Sequence, residues 1–109
     1  MKRTIKTALL SFVLVAMAGA NAYATEFITG KLSFVDPAAM PTTLLFVMTD
    51  GGNATCPTGT ALRWSKPDPE NMKAVYALLL TALAGDKQIR FYFDDGDTSC
   101  TGTFIHILN

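Results

Sequence analysis

Acid–base chemistry at neutral pH would have to run through His106, the one histidine among the 109 residues of this chain. A catalytic histidine works from a pocket, with a nucleophile beside it and a third group to orient it. His106 lies between Ile105 and Ile107 in an alternating run, on the face opposite those isoleucines, so its surroundings favour a rim or structural role. No Gly-x-Ser-x-Gly, His-Glu-x-x-His or phosphate-cradling glycine loop occurs. An enzyme is not expected, and no cofactor is called for. Asp94, Asp95 and Asp97 gather carboxylates around Gly96, the kind of oxygen-rich turn a hard cation favours. The run is too short for an EF-hand loop and lacks its closing glutamate, so it reads as a polar hairpin turn and no metal is assigned to it. Trp64, Phe91 and Tyr92 offer flat faces for a sugar ring, but aromatics at alternating strand positions more often build core. Asn53-Ala54-Thr55 fits the N-glycosylation pattern and reads as a polar turn.

The remaining reactive side chains are Cys56 and Cys100, and their chemistry depends on compartment. Met1 to Lys6 is cationic, Ala8 to Ala18 is apolar and uncharged, and Ala22-Tyr23-Ala24 ends in the small-x-small pattern that a signal peptidase accepts. The apolar run is well short of the roughly 20 residues that span a bilayer, so membrane insertion is not expected. Residues 1–24 are read as a cleaved signal peptide, with cleavage between Ala24 and Thr25, and residues 25–109 as a single secreted or periplasmic domain. An oxidising destination makes a Cys56–Cys100 disulfide the expected state, since no Cys-x-x-Cys or histidine cluster suggests redox or zinc chemistry. Three of the nine basic residues leave with the leader and all nine acidic ones stay, so the mature domain has a formal charge of −3. That balance argues against nucleic acid and anionic membrane as partners.

The elements that must position these residues can be read along the domain. Glu26–Val35 alternates as a strand that Asp36-Pro37 ends, and a second strand runs from about Thr43 to Thr49. Asp50-Gly51-Gly52-Asn53 is a tight-turn signal, and Thr60–Trp64 makes a short third strand. Every connection reads as short except the coil around Asp36 to Thr42. Asp68 is the expected N-cap of a helix over 69–84, with Pro69 at its first position and Gly85 at the left-handed stop. Met72, Val75, Tyr76, Leu79 and Leu83 form the stripe expected against the sheet. The opposite side carries Ala74, Ala77 and Thr81 with Lys73 as its single charge, an unusually apolar back that a neighbouring copy of the helix could cover in a homo-oligomer. Gln88–Phe93 and Thr101–Leu108 alternate on either side of Asp94-Asp95-Gly96-Asp97 and should form a hairpin. Five strands with one helix between the third and fourth predict an α+β domain, a small partly open barrel of the OB type.

From about Leu44 to the C-terminus, the order of Cys56, Leu62-Arg63-Trp64, the helix Asn71–Leu83, Gln88–Tyr92 and Cys100 resembles the OB-fold B subunits of bacterial AB5 toxins, those of the subtilase cytotoxin and pertussis types. The resemblance covers about three quarters of the domain. It implies a pentameric ring with the helices lining its centre, glycans bound on the outer faces and a secreted enzymatic subunit as partner. It carries over no individual sugar-contacting residue. The function expected is a secreted non-catalytic binding module, glycan-binding and ring-forming; the alternative is a stand-alone periplasmic or secreted accessory domain.

Overall fold

The computed structural model describes residues 24–109, so the leader expected over residues 1–24 lies outside the described residues apart from Ala24. The elements are β1 (Thr25–Asp36), β2 (Leu44–Met48), β3 (Leu62–Trp64), α1 (Pro69–Ala84), β4 (Gln88–Asp94) and β5 (Gly102–Ile107). They form a five-stranded sheet in the order β3-β2-β1-β4-β5, with every neighbouring pair antiparallel and the helix entering between β3 and β4.

β1 organises the sheet because it is long enough to serve two partners. Its first half pairs with β4, from Thr25 opposite Asp94 to Lys31 opposite Gln88. Its second half pairs with β2, from Leu32 opposite Met48 to Asp36 opposite Leu45, with a bulge between Leu32 and Phe34 inside that pairing. At the far edges the Arg63 amide of β3 donates to the Cys100 carbonyl at 2.9 Å, and a single parallel bridge joins Arg63 to Thr101 just before β5.

The core lies between one face of this sheet and α1. Phe46, Phe91, Phe93, Leu44, Leu62, Met72, Leu79, Ile89 and both cysteines are fully buried, and no polar or charged residue is buried among the described residues. Alternation supplies the strand contributions: Leu44, Phe46 and Met48 from β2, and Ile89, Phe91 and Phe93 from β4.

The helix occupies the span its residues predict. The Asp68 carboxylate accepts the Glu70 amide at 3.0 Å, and Pro69 takes a first-turn position where its missing N–H costs nothing. Two details differ. Gly85 has φ −89°, and the left-handed residue is Asp86 (φ 54°), whose carboxylate pairs with Lys31 Nζ at 2.9 Å. The ion pair raises the Lys31 pKa. The buried stripe is Met72, Val75, Leu79 and Ala82, with Leu83 on the exposed side. The spacing of three, four and three residues keeps the stripe straight along β1, whereas a stripe ending at Leu83 drifts off the contact.

The connection between β2 and β3 is the larger departure. Asp50-Gly51-Gly52-Asn53 does not close a tight hairpin; it opens a loop over residues 49–61 that is longer than the coil over 37–43. The loop folds on itself because Asn53 Oδ1 accepts the amides of Thr55 and Cys56 while the Asn53 amide donates to the Cys56 carbonyl. The Thr60 amide turns back to the Pro57 carbonyl, which delays β3 to Leu62. Where this loop leaves β2 it crosses β1 closely. A Cβ on Gly30 would meet the Asp50 carbonyl oxygen, and Gly51, at φ +91°, leaves no room for a Cβ beside the Thr29 carbonyl. Gly51→Ala is therefore expected to cost about 1–3 kcal/mol of stability in urea unfolding, from left-handed backbone and collision together. A neutral result would place the strain elsewhere.

Candidate functional site

Antiparallel register stacks one residue type across three strands on the solvent face of the sheet. Phe27 of β1 lies opposite Tyr92 of β4, and Tyr92 lies opposite Phe104 of β5. Their inward neighbours Ile28 and Phe91 are buried, so pleating turns all three rings outward. Phe27 is 54% and Phe104 65% exposed, unusual for phenylalanine on a regular strand. The Phe27 and Tyr92 rings are 5.6 Å apart and tilted, and Tyr92 meets Phe104 edge-on at 6.3 Å.

The adjacent register row is polar: Thr29, Arg90 and His106 follow one another across the same strands. Arg90 is held in place twice. Its Nε donates to Thr29 Oγ1 at 3.2 Å, and its guanidinium carbon stands 5.1 Å from the Phe27 ring centroid. That geometry leaves the terminal guanidinium nitrogens beside the aromatic row. His106 is exposed, with its ring 5.2 Å from that of Tyr92.

A groove of about 610 Å³ opens around the end of this row, between α1 and β5. Trp64, Lys66, Asn71, Ala74, Leu78 and Phe104 are among its walls, so Phe104 belongs to the groove and to the aromatic row alike. Trp64 Nε1 donates to Asn71 Oδ1 at 2.8 Å, and Lys66 Nζ lies 5.5 Å from the Trp64 ring centroid.

Of the three aromatics singled out from the sequence, Trp64 and Phe91 are core and only Tyr92 faces outward. Phe27 and Phe104 were missed. The signal that could have found them is their phase: each is one residue out of step with a buried neighbour or flanked by polar residues on its own face. Ala77 and Thr81 of the helix back are exposed, together with Leu80 and Leu83, and Ala74 sits at the groove. The Thr81 hydroxyl donates to the Ala77 carbonyl at 2.8 Å, which leaves that face more apolar than its residue types suggest.

Of the aspartates near Gly96, Asp97 is spent on the turn. Asp97 Oδ1 accepts both the hydroxyl (2.6 Å) and the amide (3.0 Å) of Ser99, and the Ser99 hydroxyl is the main reason the Asp97 pKa lies below the usual aspartate range. Among the described residues no three histidine, cysteine or acidic side chains are grouped as a metal site. The Asn53 amide nitrogen, the atom a glycan would use, donates to Glu26 Oε1 at 3.0 Å. Cys56 and Cys100 form a disulfide, which points to a non-reducing compartment, and among the described residues no helix is long and apolar enough to cross a membrane.

No protein family, curated protein or solved structure matches the chain.

Proposed function

We propose that this domain is a secreted, non-catalytic glycan-binding module that assembles with copies of itself. The observation that carries the reading is the outward row Phe27, Tyr92 and Phe104, flanked by Arg90 and His106. Flat apolar rings receive the apolar face of a pyranose, and polar groups one register step away can bond its hydroxyls. A glycan array identifies the ligand, and the same sugar is then titrated against Tyr92→Ala. Loss of the central platform is expected to weaken binding about tenfold, the upper end of what one aromatic pair contributes. Unchanged affinity would remove the row from the site.

An OB-type barrel is supported by the strand order, by the helix between β3 and β4, and by the bridge from Arg63 to Thr101 that brings the two sheet edges together. Assembly into a toxin-like ring, with a secreted enzymatic subunit as further partner, is favoured by the exposed Ala77, Leu80, Thr81 and Leu83 on one helix. Native mass spectrometry tests it: Ala77→Lys with Thr81→Glu should dissociate the ring to monomers. A wild-type protein that is already monomeric at micromolar concentration favours the stand-alone accessory domain.

A further inference from the structure

The end of the sheet that carries the β4–β5 turn is secured by one carboxylate. Glu26 Oε1 accepts Asn53 Nδ2 at 3.0 Å, and its two oxygens accept Thr55 Oγ1 at 2.9 and 3.0 Å. Oε2 also accepts the Gly96 amide at 2.7 Å. The first two partners belong to the loop over 49–61 and the third to the turn between β4 and β5, so a single side chain of β1 ties both loops down. The disulfide joins the same two loops, through Cys56 and Cys100.

We infer that Glu26 is an acid-operated latch: ionised, it holds the two loops against β1; protonated, it releases them while the disulfide keeps them tethered and the sheet stays paired. An ionised carboxylate accepts from all of its donors, whereas a protonated one gives up acceptor capacity on one oxygen and carries a hydrogen that Gly96 N–H cannot accept. Among the described residues no lysine or arginine pairs with Glu26, and cleavage after Ala24 would leave the Thr25 α-amino group as the cation beside it. Among the described residues the titratable groups around Glu26 are Asp95 on the β4–β5 turn, a like charge when both are ionised, and Asp94, opposite Thr25 on β4; the 49–61 loop presents the neutral Asn53 and Thr55. Asp97 holds the same turn from within.

The direction of the pKa agrees with the geometry. Glu26 lies below the ordinary glutamate value, first because of the Gly96 amide, with Thr55 and Asn53 adding to it against the cost of desolvation. A depressed carboxylate contributes stability that is present above the unfolded-state value, about 4.3, and is lost as the pH falls through the lower folded value. The loops are therefore fastened at neutral pH and loosen only in acid.

Two-dimensional amide NMR of the disulfide-bonded protein between pH 7 and pH 2.5 tests the latch. The Gly96 amide proton should move upfield with a midpoint below about 4.3, the Thr55 and Cys56 amides should shift with the same midpoint, and the β1–β4 amides should stay in place. In Glu26→Gln the Gly96 titration should vanish, and its amide should already sit at its upfield position at pH 7. A Gly96 amide that does not titrate, one that titrates unchanged in Glu26→Gln, or loops and sheet lost in one transition would each overturn the proposal.

Discussion

Replacing Cys56 and Cys100 together with alanine is expected to lower the free energy of unfolding by about 4 kcal/mol. The bond closes a chain segment with a sequence separation of 44, and tying two points that far apart removes conformations from the unfolded ensemble on that scale. A domain of this size has a total stability of about 4–13 kcal/mol, so the loss takes about 30% of it at the least. The folded side adds to the effect. Both sulfurs are fully buried, and Cys100 is held at φ 54°, in the left-handed region, where alanine would keep the backbone cost without the cross-link. The segments joined are the 49–61 loop, which has no strand of its own, and the short stretch whose Cys100 carbonyl receives the Arg63 amide. Cutting the link should therefore free that loop and loosen the contact between the two sheet edges. Guanidinium unfolding with and without a thiol reductant, followed by tryptophan fluorescence, measures it, since Trp64 is buried near this contact. A difference below about 1 kcal/mol would mean that the unfolded chain is already compact at these positions.

Phe91→Ala should be comparably damaging, at about 3–5 kcal/mol. Phe91 is fully buried at the centre of β4, edge-on to Phe46 at 5.3 Å and 6.0 Å from Phe93. Its ring also explains Gly102. A Cβ at position 102 would collide with the Phe91 ring and come within 2.7 Å of Trp64 Cε3, so glycine at the start of β5 lets the strand close down over two aromatic rings. The two positions are consequently coupled. Gly102→Ala alone should destabilise, yet cost less in the Phe91→Ala background, where the cavity accepts the methyl group. A double-mutant cycle in urea should return a coupling of about 0.5–3 kcal/mol, and strict additivity would show that the ring does not set the approach of β5. Tyr92, the next residue, offers the internal contrast: its ring is on the solvent face, so its truncation should change sugar binding far more than stability.

The helix was legible from residues 68–85 because its determinants are local: a capping aspartate, a proline at the first position, and apolar residues at helical spacing. The strands were legible from period-two alternation, although the ends of β2 and β3 moved by one or two residues where loop hydrogen bonds competed with pairing. The disulfide followed from there being two cysteines and from the expectation of an export leader. The misreadings share one cause. The turn at residues 50–53, the left-handed stop at Gly85 and the placing of Leu83 in the core all assumed that the nearest residues along the chain decide the conformation. In each case a group distant along the chain meets the segment: the Thr29 carbonyl beside Gly51, Lys31 on Asp86, and the core cluster that buries Ala82.

The candidate site divides along the same line. Alternation within β4 already implies that Tyr92 and Phe91 point to opposite faces, since successive side chains on a strand must. That Tyr92 stands between Phe27 and Phe104, that Arg90 is fixed on Thr29 and Phe27, and that Glu26 gathers two loops are products of strand register. Register depends on which strands pair and where the β1 bulge falls, and both are set by burying Phe46, Phe91 and Phe93 together rather than by any local preference. The amino-acid order alone thus determined an alternating, disulfide-linked, helix-capped chain. Only the packed sheet decided which of its aromatics meet solvent side by side, because residues distant along the chain become neighbours only once the core has chosen their register.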